Sequence, residues 1–165
     1  MGPGNRKLSK VKFVQANNNR FTFALSKRDR RLLQEVLKLY PRIPPGHQTL
    51  SKGGKLPDEE ASQQLLNEAL AEQRAQNKKQ VQAFLDSPKR FAENEAGCRL
   101  TLSAGEMEWL LQVLNDIRVG SWVILGSPEP RMELALMTEK TAPDFWAMEM
   151  AGYFQAHLLE ATEGT

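Results

Sequence analysis

The chain has 165 residues, 41% of them hydrophobic and 25% charged, with a net charge of +2, one cysteine and two histidines. That is one domain's worth of sequence, enough to bury a sizeable core without a disulfide, and the lone Cys98 cannot form an internal one. No apolar run approaches the ~18 residues of a membrane span, and Met1-Gly2-Pro3-Gly4-Asn5-Arg6 lacks a signal peptide's apolar core and a myristoylation signal's Ser or Thr, so a soluble, cytoplasmic protein is expected.

Val11 to Gln15 and Phe21 to Leu25 are short β-prone runs, and the asparagines of Ala16-Asn17-Asn18-Asn19-Arg20 between them favour a turn. A β-hairpin is predicted. Ser26 then caps a helix, with Asp29 near its positive end and Leu32, Leu33, Val36, Leu37 and Tyr40 as its apolar stripe, until Pro41 stops it. Residues 42–56, with Pro44-Pro45-Gly46 and Gly53-Gly54, read as a mobile exposed loop.

This first part, residues 1–55, is strongly basic. It holds thirteen Lys and Arg against Asp29 and Glu35, a balance of +11 that the remaining residues offset with −9. Such polarity suits an acidic partner such as nucleic acid, and Lys7, Lys10, Lys12, Arg20, Lys27, Arg28, Arg30 and Arg31 are the candidate phosphate contacts. The plainer reading is that these charges solvate a hairpin and a helix face.

Pro57 and the acidic Asp58-Glu59-Glu60 open the helical part, residues 57–165. In the long helix that follows, Leu65, Leu66, Ala69 and Leu70 at one end and Val81, Phe84 and Leu85 at the other are expected to bury. The polar stretch Glu72 to Gln80 leaves an exposed middle or a break. Asp86-Ser87-Pro88 ends it, and Lys89 to Gly97 is a connector to a strand over Cys98–Leu102, whose alternation favours a buried thiol.

Ser103-Ala104-Gly105-Glu106 is a capping box, followed at helical spacing by Met107, Leu110, Leu111, Leu114, Ile117, Ser121, Ile124 and Leu125. This predicts a central helix, ended by Gly126, Pro128 and Pro130. Its strand and helix echo the first unit: Phe21, Phe23, Leu25 and Ser26 recur as Cys98, Leu100, Leu102 and Ser103, and Leu32, Leu33, Val36 and Leu37 as Trp109, Leu110, Val113 and Leu114, at one constant offset. Met132 to Met137 forms a short helical turn or a strand. Thr141-Ala142-Pro143-Asp144 caps a last helix to about Leu159, apolar almost all round, which suggests a homodimer contact.

No motif identifies a reaction. His47 and His157 have no metal-ligand spacing, and Gly53-Gly54-Lys55 lacks the context of a phosphate loop, so no catalytic, cofactor-binding or metal residue is assigned. The polar cluster Asn115, Asp116 and Arg118 interrupts the central helix. Asp116 and Arg118 are two apart and face different ways, so each is expected to hold a partner from another element, with a buried Arg contact fixing register. The alternative is an enzyme with a carboxylate-based site there.

Trp109-Leu110-Leu111-x-x-Leu114-Asn115-Asp116-Ile117-Arg118, then Leu125-Gly126, after a strand and a serine cap, resembles the hallmark of the actinobacterial oxidative-stress-regulator family AosR. Arg20-Phe21-x-Phe23-x-Leu25-Ser26, the long polar helix and the aromatic last helix follow the family's order. The resemblance implies a small, mainly helical cytoplasmic protein acting through partners, including a sigma factor and promoter DNA, when a C-x-x-x-C pair is oxidised. With Cys98 alone, that thiol switch does not carry over.

The expected fold is a single mainly α (α+β) domain over 1–165, with a small antiparallel sheet made of the hairpin and one further strand. The expected function is that of a non-catalytic regulatory protein, associated with transcription, that acts through a protein partner or DNA.

Overall fold

The computed structural model describes residues 11–17, 19–42, 59–87, 89–95 and 97–163. Lys7, Lys10, His47 and most of the loop expected over 42–56 lie outside them. The described chain runs β1 (Lys12–Asn17), β2 (Arg20–Leu25), α1 (Lys27–Leu37), α2 (Glu59–Asp86), β3 (Phe91–Asn94), β4 (Gly97–Ser103), α3 (Ala104–Ile124), a 3-10 turn (Pro130–Met132), α4 (Glu133–Leu136) and α5 (Ala142–Glu163). It is a mainly helical α+β fold with one small antiparallel sheet, as expected.

The sheet has four strands rather than three, in the order β1-β2-β4-β3. β3 occupies what the sequence presents as a connector. It is an edge strand in which only Phe91 is buried, so it needs no alternating pattern. Gly97 begins β4 because the chain passes so close to β2 there that a Cβ would lie 2.1 Å from the Leu25 carbonyl oxygen. On the other edge a bulge between Phe13 and Gln15 shifts the β1 register.

Cross-strand rows fix which side chains share a face. Phe13, Phe23, Leu100 and Phe91 form one row, and Phe21 stands opposite Leu102 in another. These point inward, to the side where α1, α3 and α5 pack. Ser26 caps α1 by accepting from the Asp29 N–H at 3.0 Å. In α3 the box is complete: Glu106 N–H donates to Ser103 Oγ at 3.1 Å and Ser103 N–H to Glu106 Oε1 at 3.0 Å.

α3 is the axis of the core. Met107, Leu110, Val113, Leu114 and Ile117 are buried on it, in one core cluster with Ala147, Ala151, Phe154 and Leu158 of α5. Each large side chain so buried contributes about 1.5–3 kcal/mol. Ile124, expected to bury, is exposed near the end of α3. Contacts with α3, α1 and β1 absorb most of the apolar surface of α5, leaving Trp146 and Leu159 outward. The Thr141 hydroxyl donates to the Leu136 carbonyl at 2.9 Å, tying α4 to the start of α5, and an Arg42–Asp144 ion pair ties that start to the segment after α1.

α2 departs most from expectation. It is one unbroken helix of 28 residues, yet only Asn77, Val81 and Phe84 are buried. Leu65 is 66% exposed and Ala69 is exposed, while Leu66 and Leu70 are half-covered, so the first half is covered along one face only in part. The second half docks through rings: Phe84 lies edge-on to Phe91 and tilted against Trp109, with the Arg90 guanidinium over its face. The polar middle contributes the anchor, where Asn77 Nδ2 donates to the buried Tyr40 hydroxyl at 3.1 Å.

Candidate nucleic-acid interface

The outward face of the sheet is built by alternation. Residues paired across the strands from one another share a face, and apart from Val14, which the bulge leaves unpaired, the outward positions are Lys12, Gln15 and Asn17 on β1, Arg20, Thr22 and Ala24 on β2, and Arg99, Thr101 and Ser103 on β4. β3 adds Ala92 and Asn94. Among these outward positions there are three cations and no Asp or Glu.

Their arrangement follows the register. Lys12 pairs with Ala24, Ala24 with Arg99 and Arg99 with Ala92, so Lys12 and Arg99 stand in one row with a small residue between them. Two strand spacings put their backbones ~10 Å apart. Arg20 lies further along the same face, opposite Ser103, beside Thr22 and Thr101, whose hydroxyls are 3.3 Å apart. Lys12, Arg20 and Arg99 are exposed, and none has an ion-pair partner among the described residues. Long cationic side chains around a shallow floor of Ala and Thr can follow a phosphate backbone without reading bases.

Lys12 and Arg20 were legible as candidates, whereas Arg99 lies outside the basic first part and escapes a reading based on charge density. Its signal is the alternation of Cys98, Leu100 and Leu102, which forces it outward. Lys27, Arg28 and Arg31 are exposed on α1, a helix on the inward side of the sheet, so the cations form two groups. Arg30 is engaged: its guanidinium binds Glu93 of β3, and that contact holds the Glu93 carboxyl below its usual range.

Asn115, Asp116 and Arg118 do not form one site. Arg118 Nη2 donates to Asn115 Oδ1 at 2.9 Å and Nε to Gln155 Oε1 of α5 at 3.1 Å, while Gln155 Nε2 donates to Asn115 Oδ1 at 3.3 Å. This triad links α3 to α5, but the arginine is exposed and its partners are amides, not the buried contact expected. Gln155 has no counterpart in the sequence pattern. Asp116 points elsewhere, accepting from Gln112 Nε2 at 2.9 Å and lying near Arg74 and Tyr40. Burial pushes its carboxyl above the ordinary value, against the opposing pull of Gln112 and Arg74.

Other titratable groups serve the fold. Burial opposes ionisation of Glu106, but the Ser103 N–H and Arg90 outweigh it and hold that carboxyl low. Asp29 is buried against Tyr153 of α5, and burial pushes its carboxyl up. Cys98 is 1% exposed and burial raises its thiol pKa, the opposite of what a reactive cysteine needs. Among the described residues no group of three His, Cys, Asp or Glu could hold a metal ion, and no helix is long and apolar enough to cross a membrane.

No family model, curated protein or solved structure matches this chain.

Proposed function

We propose that this chain is a non-catalytic interaction protein, associated with transcription, that binds DNA through the outward face of its sheet. The observation that carries the reading is the face on which Lys12, Arg20 and Arg99 stand with no carboxylate at the outward positions and no ion-pair partner among the described residues. A duplex carries a negative charge every ~1.7 Å of axis, so a row of cations ~10 Å wide meets several phosphates at once. The resemblance of residues 109–126 to the AosR family supports the same direction. Regulation by an internal thiol pair is not part of the reading, because Cys98 is alone and buried.

The test is a titration of duplex DNA at several salt concentrations. Phosphate contacts at these three side chains give a log–log slope of roughly −3, about 0.9 per contact. Absence of binding at low salt, or an affinity indifferent to salt, refutes the proposal.

A further inference from the structure

A second surface lies between α3 and α5, beside the connection that joins them. It is a groove of about 870 Å³, open to solvent. Its floor and walls are Val119 and Trp122 of α3 and Met148 and Gly152 of α5, and the connection closes one side with Pro128 and Pro130. Trp122 is held in place, its indole N–H donating to the Pro128 carbonyl at 3.0 Å. Trp122 is 39% exposed there, a large apolar side chain held open to solvent on the wall of the groove.

The charges at the rim select the occupant. Glu129, Glu133 and Glu149 line the groove, against Arg118 alone. Arg118 is already hydrogen-bonded to Asn115 and Gln155, and Glu129 to Arg131, whereas Glu133 and Glu149 have no cationic partner among the described residues. A small-molecule site buries most of its ligand, whereas this groove is open to solvent. An amphipathic helix laid lengthwise needs only one face covered, by anchors at i, i+3, i+4 and i+7.

We infer that the groove between α3 and α5 docks a basic amphipathic helix of a protein partner, with apolar anchors over Trp122 and Met148 and Lys or Arg against Glu133 and Glu149. This surface is separate from the outward sheet face and does not rest on DNA binding there.

The experiment uses the full chain and a synthetic Leu/Lys peptide with leucines at helical spacing on one face, followed by fluorescence anisotropy. Its Leu/Glu counterpart and the chain's own mass in solution are measured in parallel. Gly152→Leu puts a side chain into the groove that Gly152 lines; its Cβ meets Arg118 Cδ at an ordinary 3.5 Å, and leucine is a better helix former than glycine. The expected result is binding of the basic peptide, loss of it in Gly152→Leu, and weakening of about tenfold in Glu133→Gln/Glu149→Gln. Arg99→Ala leaves it unchanged. Equal binding of the Leu/Glu peptide, undiminished binding by Gly152→Leu, or no binding overturns the proposal. A dimer in the unmodified chain that Gly152→Leu dissociates also overturns it, in favour of a second copy as the occupant.

Discussion

Tyr40 and Asn77, on either side of the segment that joins α1 to α2, meet in a buried hydrogen bond of 3.1 Å. Both side chains are nearly inaccessible, so the bond forms away from competing water. It holds a helix whose first half has no buried residue, and the other buried side chains of α2, Val81 and Phe84, lie further along.

Asn77→Ala therefore leaves the Tyr40 hydroxyl buried without its donor, at a cost of about 1–3 kcal/mol. The loss should show as a lower melting temperature and as faster proteolysis between Glu59 and Arg74. Tyr40→Phe removes the other partner and should loosen the same segment. Unchanged cleavage in both variants would mean that α2 is held by Val81 and Phe84 alone.

Leu110 and Leu114 are fully buried where α3 meets the sheet and α5. Truncation of either to alanine should cost about 2–5 kcal/mol, the transfer loss plus the cavity left behind. Denaturant unfolding measures it, and near-unchanged midpoints would remove α3 from the centre of the core. Ser103→Ala tests the start of the same helix, with an expected cost of about 0.5–2 kcal/mol for the lost cap.

Asp116 gives a pH signature. Its native carboxyl titrates above the ordinary 3.8, so the folded chain binds this proton more tightly than the unfolded one. Stability from this group is therefore greatest where it is protonated and declines as pH rises from 3.8 through the native value. Asp116→Asn keeps an oxygen for Gln112 and removes the charge. It should melt higher than the parent at neutral pH, with the gain shrinking as the solution is acidified through the native value towards 3.8. A constant difference across that range would show that the burial of Asp116 carries no penalty.

The helices and the two inner strands were legible because local signals agree with packing. Ser26 and Ser103 announce their helices, and the alternation of Phe21, Phe23 and Leu25 and of Cys98, Leu100 and Leu102 names the inward face. β3 was not legible, since a strand with one buried residue carries no period. Nor was the exposure of Leu65 and Ala69, because an apolar stripe shows that burial is favourable and not that a neighbour is within reach.

The candidate interface was half visible for a related reason. Charge counting finds Lys12 and Arg20 but ranks them with Arg30, which the fold commits to Glu93, and passes over Arg99. Only strand register brings Arg99 into the row of Lys12. The cluster at Asn115, Asp116 and Arg118 likewise divides along helix faces that spacing indicates, but its partner Gln155 comes from α5 and needs the tertiary fold.

The DNA-binding claim reduces to the three outward cations, and the most direct measurement is the salt dependence of duplex affinity for the parent chain beside Lys12→Ala/Arg20→Ala/Arg99→Ala. The substitutions lie on an exposed face and should leave melting nearly unchanged. If these side chains bind phosphate, each removed contact lowers the magnitude of the log–log slope by about 0.9, so the triple variant loses nearly all of it. A triple variant that binds as tightly and with the same slope as the parent contradicts the account.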